Sequence, residues 1–428
     1  MKKKIITTLI ALTLLNPITA AFAADAPKVS PTPTDTSGVD IAASAAIAID
    51  ANTGKILYAK NVDEARGIAS ESKLITAYLV YKAVKEGKIS WDDEVSINDA
   101  TQKLSRNNNL SNVVLYTDVQ YKVSDLLDAA LIASANAAAQ ALAIKLAGSE
   151  EEFAKEMTTQ LNEWGFQDVH FINASGLNDH DVTGASDDEN TMSAKAMAAT
   201  AFHLYHDFPE VLDITKQPTK VFPEGKYPNI TMNTFNLMLP TQAFYMEGVD
   251  GFKTGTTDKA GACFTGTIDR AGTRLITVVL DAKNADGKSD KSARFTQTKV
   301  LMNYVLDNWK YDKLDNKGTR LDKNKTVYVA NAKTRNLKIA LGEETAYWYR
   351  TKATVQTPTY KVEPLAGLEA PITKGQTVAN ATLSVAEDKL GYLTDDLTPV
   401  YPMVAMNEDK KANIFTTFIR WIADKVAK

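Results

Sequence analysis

The chain holds one cysteine, Cys263, in 428 residues. No internal disulfide can form, and cysteine-rich zinc sites and iron-sulfur clusters are excluded. Histidine is scarce as well: His170, His180, His203 and His206 are the four. No His-Glu-x-x-His exists, so His203 and His206 near Asp207 read as surface or core residues rather than metal ligands. Glycine-rich phosphate loops are missing, which argues against nucleotide use. Positive charge is not in excess, with 48 Lys and Arg against 52 Asp and Glu. A mildly acidic chain is a poor nucleic-acid binder. The N-terminal apolar run Ile5–Leu15 falls short of the ~20 residues that a membrane span needs. No metal, cofactor or nucleic-acid partner is expected.

Apolar residues make up 44% and charged residues 23%, which rules out global disorder, collagen and a coiled-coil rod. At ~150 residues per domain the length allows two or three domains. The N-terminus reads as a secretory signal. Lys2, Lys3 and Lys4 precede Ile5–Leu15, and Ala21-Phe22-Ala23 supplies the small-x-small cleavage pattern. Residues 1–23 are therefore expected to be removed and the protein exported. Residues 24–40 carry Pro27, Pro31 and Pro33 among Ser, Thr and Asp, the composition of a flexible linker.

Globular structure is expected from Ile41. Ala45–Asp50 and Ile56–Tyr58 flank the turn Asn52-Thr53-Gly54 and read as a hairpin. Lys73–Lys85 places Leu74, Ala77, Val80, Tyr81 and Val84 at helical spacing. Ser124 is placed to cap a helix from Asp125 to Ala133. Ser149 and Glu152 form a capping box ahead of Phe153, Met157, Leu161 and Trp164, and Gly165 ends that helix. Ser193–Leu204 is a further helix. Cys263–Ile268 and Arg274–Leu280 read as adjacent strands, and Lys291–Trp309 as a helix. Strands, many helices, then strands describe one sheet-plus-helix domain over 41–312.

Tyr311–Lys325 is a Lys/Asp/Asn-rich connection. Beyond it, Val327–Val329, Leu337–Leu341, Tyr347–Tyr349, Ala381–Val385 and Pro399–Tyr401 are short strand-like runs, a small β domain over 323–405. Residues 408–428 differ again. On a helical wheel Ile414, Phe415, Phe418, Ile419, Trp421, Ile422 and Val426 share one face, with Lys410, Lys411, Arg420, Lys425 and Lys428 nearby. That pattern suits the surface of an anionic membrane; the alternative is a helix docked on its own protein.

Chemistry concentrates in three short motifs. Ser70-Glu71-Ser72-Lys73 is the one Ser-x-x-Lys in the chain. It sits where a loop becomes a helix, so Lys73 follows Ser70 by one turn and faces the same side. A serine nucleophile needs a base, and a lysine serves if burial or a second cation lowers its pKa. Lys253-Thr254-Gly255-Thr256 is the one Lys-Thr-Gly. It offers a fixed cation, two hydroxyls, and a glycine that lets a ligand approach the backbone. Of three Ser-x-Asn copies, Ser134-Ala135-Asn136 lies at a junction between two apolar helices. Its buried polar side chains need partners there.

In that order the motifs resemble the active-site set of penicillin-binding proteins and serine β-lactamases. The longer resemblance, over about Ile41 to Trp309, is to the low-molecular-weight penicillin-binding proteins, the serine-type D-alanyl-D-alanine carboxypeptidases. Asp50–Leu57, Asn173-Ala174-Ser175-Gly176-Leu177 and Asp250–Thr257 carry it most closely. The resemblance implies an α/β fold, a sheet flanked by helices plus an all-helical lobe, with a small C-terminal β domain and an amphipathic terminal helix. It implies that Ser70 attacks the carbonyl between two terminal D-alanines of a peptidoglycan stem peptide, with Lys73 as base and Ser134 passing a proton to the leaving group. Asn136, Lys253, Thr254, Gly255, Thr256 and Arg294 would bind substrate. β-Lactams would acylate Ser70, and the enzyme would sit on the outer face of the cytoplasmic membrane, facing the cell wall.

Two departures stand out. Ile68 replaces the family's usual proline, and Ser-Ala-Asn-Ala at 134–137 replaces Ser-Gly-Asn-Asp. A β-lactamase of the same fold and a non-catalytic wall-binding protein are the competing readings. The former is disfavoured because the usual Glu-x-x-Leu-Asn between the second and third motifs is missing.

Overall fold

The computed structural model describes residues 26–182, 184–223, 229–323, 325–351, 358–385 and 388–426; the expected signal segment lies outside them. The central sheet uses the apolar runs at both ends of the catalytic region. Its strands are β1 (Ala43–Asp50), β2 (Ile56–Lys60), β3 (Val249–Thr257), β4 (Gly261–Arg270) and β5 (Thr273–Ala282), in the order β2-β1-β5-β4-β3. Every pairing is antiparallel. Successive residues Leu275–Leu280 are all buried. Side chains alternate between faces along a strand, so both faces of the sheet are covered. Helices α5 (Ala194–Asp207) and α6 (Ala293–Asn308) both pack on β1, β4 and β5.

The helical lobe comprises α1 (Lys73–Lys85), α2 (Val123–Ile132), α3 (Asn136–Ala147) and α4 (Glu150–Glu163). Ser149 Oγ accepts from the Glu152 amide at 3.1 Å and caps α4 as expected. Ser124 does not cap α2: that helix starts at Val123 after Lys122, without a side-chain cap. The strand Gln120–Lys122 runs straight into the helix, leaving Ser124 within its first turn.

Residues 26–40 differ from a free linker. The Asp35 amide donates to Ala59 O at 2.7 Å and the Thr32 amide to Asp63 Oδ2 at 2.7 Å. Buried Lys195 donates to Ser30 O and Thr32 Oγ1 at 2.7 and 2.8 Å, and Asp35 pairs with Arg350. Proline-rich composition leaves few internal hydrogen bonds, but distant polar groups satisfy this backbone.

The expected connection at Tyr311–Lys325 also begins as a strand. β6 (Trp309–Asp315) pairs antiparallel with β9 (Thr345–Arg350). The second five-stranded sheet contains β7 (Thr326–Tyr328), β8 (Asn336–Leu341), β10 (Thr359–Pro364), β11 (Thr377–Ser384) and β12 (Val400–Ala405), ordered β7-β8-β12-β11-β10. It has its own apolar core, including Val329, Ile339, Leu341, Val378 and Met403. Lys55 ties the two regions, donating from beside β2 to Asp388 and Gly391 O. The chain ends in α7 (Ile414–Val426), capped by Asn413 Oδ1 accepting from the Thr416 amide at 2.8 Å.

Candidate active site

The nucleophile segment is a single 3-10 turn, Ala69–Ser72, that opens into α1. Ala69 has φ 48°, a left-handed backbone unusual for a residue with a Cβ. The neighbouring turn at Asn173–Leu177 holds it there. Gly176 has φ +81°, and a Cβ at this position would lie 1.8 Å from Ala69 O. Only glycine allows that approach. Thr76 Oγ1 donates to Ala174 O at 2.7 Å and Asn190 Nδ2 to Ser72 Oγ at 2.9 Å, pinning the helix start to the same turn.

One helical turn brings Lys73 Nζ to 3.0 Å from Ser70 Oγ. The same nitrogen reaches Asn136 Oδ1 and Ser175 O, each at 2.7 Å. Burial, with the charge of Lys253 added, holds Lys73 well below the ordinary lysine pKa. A lysine that loses its proton more readily is suited to accept one from a serine hydroxyl.

The helix junction supplies the second group. Ser134 has φ 55° and, like Asn136, is buried. Asn136 Nδ2 donates to Ser111 O at 3.0 Å, leaving its second amide hydrogen available. No acid stands at Ala137; its backbone amide donates to Asn112 Oδ1 at 2.9 Å, which holds the start of α3 to the 111–112 segment.

The third group lies on the edge strand β3. Lys253 stands opposite Thr265 of β4, and Gly255 opposite Cys263. Burial pushes Lys253 down to about 7; Glu71 opposes that shift and Arg294 adds to it. Gly255 has a role different from the one expected. A Cβ there would meet Ile68 O at 2.5 Å and Ala69 Cβ and Glu71 Cγ at 3.2 Å. The backbone that needs the space is the nucleophile turn. Arg294 is buried in this strand region. Its Nη1 donates to Gly255 O at 2.6 Å and Cys263 O at 3.1 Å, and its Nη2 donates to Thr256 Oγ1.

One cleft of about 1350 Å³ is lined by Ser70, Ser134, Asn136, Thr254, Thr256 and Arg294. Lys73 links Ser70 to Asn136 behind it. Three stretches far apart in the chain thus converge, although neither Lys253 nor Gly255 lines the cavity; Lys253 is buried beneath it and donates to Thr254 O at 2.9 Å. Several contributors were not expected from the sequence: Glu71, Ser111, Asn112, the Ser175 carbonyl, and Glu150, whose charge opposes the lowering of the Lys73 pKa. Only the 173–177 turn carried a signal, through its likeness to the family. Among the described residues no cluster of His, Cys, Asp and Glu is arranged to hold a metal.

Comparison with known proteins agrees with this geometry. A family profile described as D-alanyl-D-alanine carboxypeptidase matches residues 30–284. The chain belongs to that family. It is 26% identical to the D-alanyl-D-alanine carboxypeptidase DacF of Bacillus subtilis over 426 residues, 99% of each chain. Among solved structures, the peptidoglycan synthesis regulatory factor PBP3 of Streptococcus pneumoniae superposes with a TM-score of 0.71 at 36% identity, covering 86% of this chain and 99% of that one. A penicillin-binding protein of Listeria monocytogenes, solved with ampicillin bound, gives 0.52 at 32% identity, covering 63% of this carboxypeptidase-family chain and 98% of its own.

Proposed function

We propose that the protein removes the terminal D-alanine from peptidoglycan stem pentapeptides through an acyl-enzyme on Ser70. The observation carrying this reading is the approach of Lys73 Nζ to Ser70 Oγ and Asn136 Oδ1 at 3.0 and 2.7 Å, beside a cleft that Ser70 and Asn136 share with Thr254 and Thr256. Lys73 takes the Ser70 proton as Oγ attacks the carbonyl between the two D-alanines. The backbone N–H groups of Ser70 and Thr256 receive the developing oxyanion. Ser134 passes a proton to the departing D-alanine amine. Asn136 holds the substrate amide with its free hydrogen. Lys253, Thr254 and Thr256 hold the terminal carboxylate, with Arg294 fixing the Thr256 hydroxyl. Water then releases the shortened peptide. A β-lactam follows the same first step, opening its ring onto Ser70 and leaving slowly. A stem pentapeptide mimic should release D-alanine with wild type and not with Ser70→Ala; release by both would exclude this role for Ser70.

Export and a membrane-surface location belong to the same proposal. They are supported by the signal-like residues 1–23 and by the apolar side chains on α7. Ile414, Phe415 and Ile419 are 91%, 70% and 51% exposed, and Arg420 donates to Ala332 O and Lys333 O. No helix among the described residues is long and apolar enough to cross a membrane, so α7 would lie in the interface. Deleting residues 413–428 should abolish co-sedimentation with anionic vesicles; unchanged sedimentation would count against the anchor.

A further inference from the structure

A peptide C-terminus and a penicillin both bring a carboxylate into the cleft, and few of the cations near it are free to meet one. Lys253 does not line the cavity; it is buried and its Nζ donates to Thr254 O at 2.9 Å. Arg294 lines the cavity, but its Nε donates to Lys291 O at 2.7 Å, its Nη1 to Gly255 O and Cys263 O, and its Nη2 to Thr256 Oγ1. Most of its five N–H groups are thus committed to the protein. Lys259 also lines the cavity, yet its Nζ pairs with Glu189 at 3.5 Å and donates to Asp187 O at 3.2 Å. Asp187 and Asp258 line the cleft beside it, so a substrate carboxylate gains little there. Besides His180, on the short helical turn Asp179–Val182, the remaining cation of the lining is Lys291. It is exposed, and among the described residues its ammonium has no partner.

We infer that Lys291 is a specificity-determining residue of this cleft: its free ammonium receives the C-terminal carboxylate of the substrate beside the Thr256 hydroxyl. The inference rests on the proposed binding of that carboxylate at Thr254 and Thr256. Position favours it. Lys291 stands two residues before α6, and the Arg294 guanidinium spans from its carbonyl to Thr256 Oγ1. The flexible four-carbon stem of a lysine can cover that span. The neighbouring Asp290, which also lines the cleft, does not consume the charge. It accepts from the Ser292 amide and hydroxyl at 2.7 and 2.8 Å and from Asn284 Nδ2 at 3.2 Å, closing the start of α6, and it forms no ion pair with Lys291. Burial lowers Lys253 to about 7, so above neutral pH that buried amine supplies little positive charge of its own. Lys291 is the group that would tell a charged C-terminus from a neutral one.

The test compares acylation by benzylpenicillin with acylation by its methyl ester, followed by intact mass, in wild type, Lys291→Met and Lys291→Arg. The ester removes the charge that Lys291 would meet. Lys291→Met should slow acylation by benzylpenicillin about five-fold at low salt, the effect of one unit charge ~4 Å away in water, and leave the ester within about two-fold. The loss should shrink as salt rises. Lys291→Arg keeps the charge and should stay within about two-fold of wild type on both. On a stem pentapeptide mimic the Lys291→Met loss should appear as a raised KM at unchanged kcat. The side chain is exposed and without partners, so these variants should fold. A loss equal on acid and ester, or no loss on the acid, would overturn the inference. If the wild type is acylated but releases no D-alanine from peptide, the carboxypeptidase reading fails while the penicillin comparison still tests Lys291.

Discussion

Replacing Lys73 with arginine separates the charge of the lysine from its capacity to take a proton. Guanidinium remains protonated throughout the working range, so Lys73→Arg keeps a cation beside Ser70 and removes the base. In the native site Nζ lies 3.0 Å from Ser70 Oγ and touches two further acceptors at 2.7 Å. A base in that position contributes about 10² to 10⁴ in rate, or roughly 3 to 5 kcal/mol of barrier. Acylation by benzylpenicillin and D-alanine release should both fall by about that factor at pH values where the wild-type amine is unprotonated, and the difference should shrink toward acid pH. The wild type should lose activity on the acid side, because its lowered Lys73 pKa marks where the amine becomes protonated and stops accepting. Stability carries the opposite mark of the same shift. The unfolded chain binds the Lys73 proton more tightly than the folded one. The folded protein therefore gains from this group as pH rises toward the free lysine value, and the gain is absent below the lowered folded value. Lys73→Met should flatten that part of a melting-temperature profile. Lys73→Arg that folds and keeps activity within about ten-fold of wild type would refute general-base catalysis by Lys73.

Other perturbations test the supports of the site. Gly176→Ala forces a Cβ to 1.8 Å from Ala69 O at φ +81°, and should destabilise by at least about 2 kcal/mol and slow acylation. Gly87→Ala has φ +70° but nothing within 4 Å; it should cost only about 1 kcal/mol in a denaturant melt and leave acylation alone. Lys195→Met removes the buried donor to Ser30 O and Thr32 Oγ1. Proteolysis within 26–40 should accelerate while the kinetics of D-alanine release stay the same.

The parts readable from sequence were those with local causes. Lys73–Lys85 places its apolar residues at helical spacing, and the structure has that helix with the same bounds. Ser149 caps as a side chain three residues from its partner; Ser193, read as the first helical residue, instead caps a helix that begins at Ala194. The misread parts depend on partners far along the chain. The strand Trp309–Asp315 alternates aromatic and charged residues, and its partner begins at Thr345, so no apolar run betrays it. Residues 26–40 have the composition of a tether, but their partners include Lys195 and Arg350. Arg294 could be placed at the site only through the resemblance, because its acceptors on β3 and β4 lie about 30 to 40 residues earlier. Asn112 looked like one amide in an Asn-rich loop; only folding brings it to Ala137. Gly255 was assigned to ligand access, whereas the nearest atoms belong to the nucleophile turn.

The central claim is that Ser70 is the atom-level point of attack. Labelling the purified protein with a fluorescent penicillin, digesting it and sequencing the labelled peptide tests that most directly. The account predicts one stable adduct, on Ser70, absent from Ser70→Ala. A label on another residue, or a folded wild type that takes none, would contradict it.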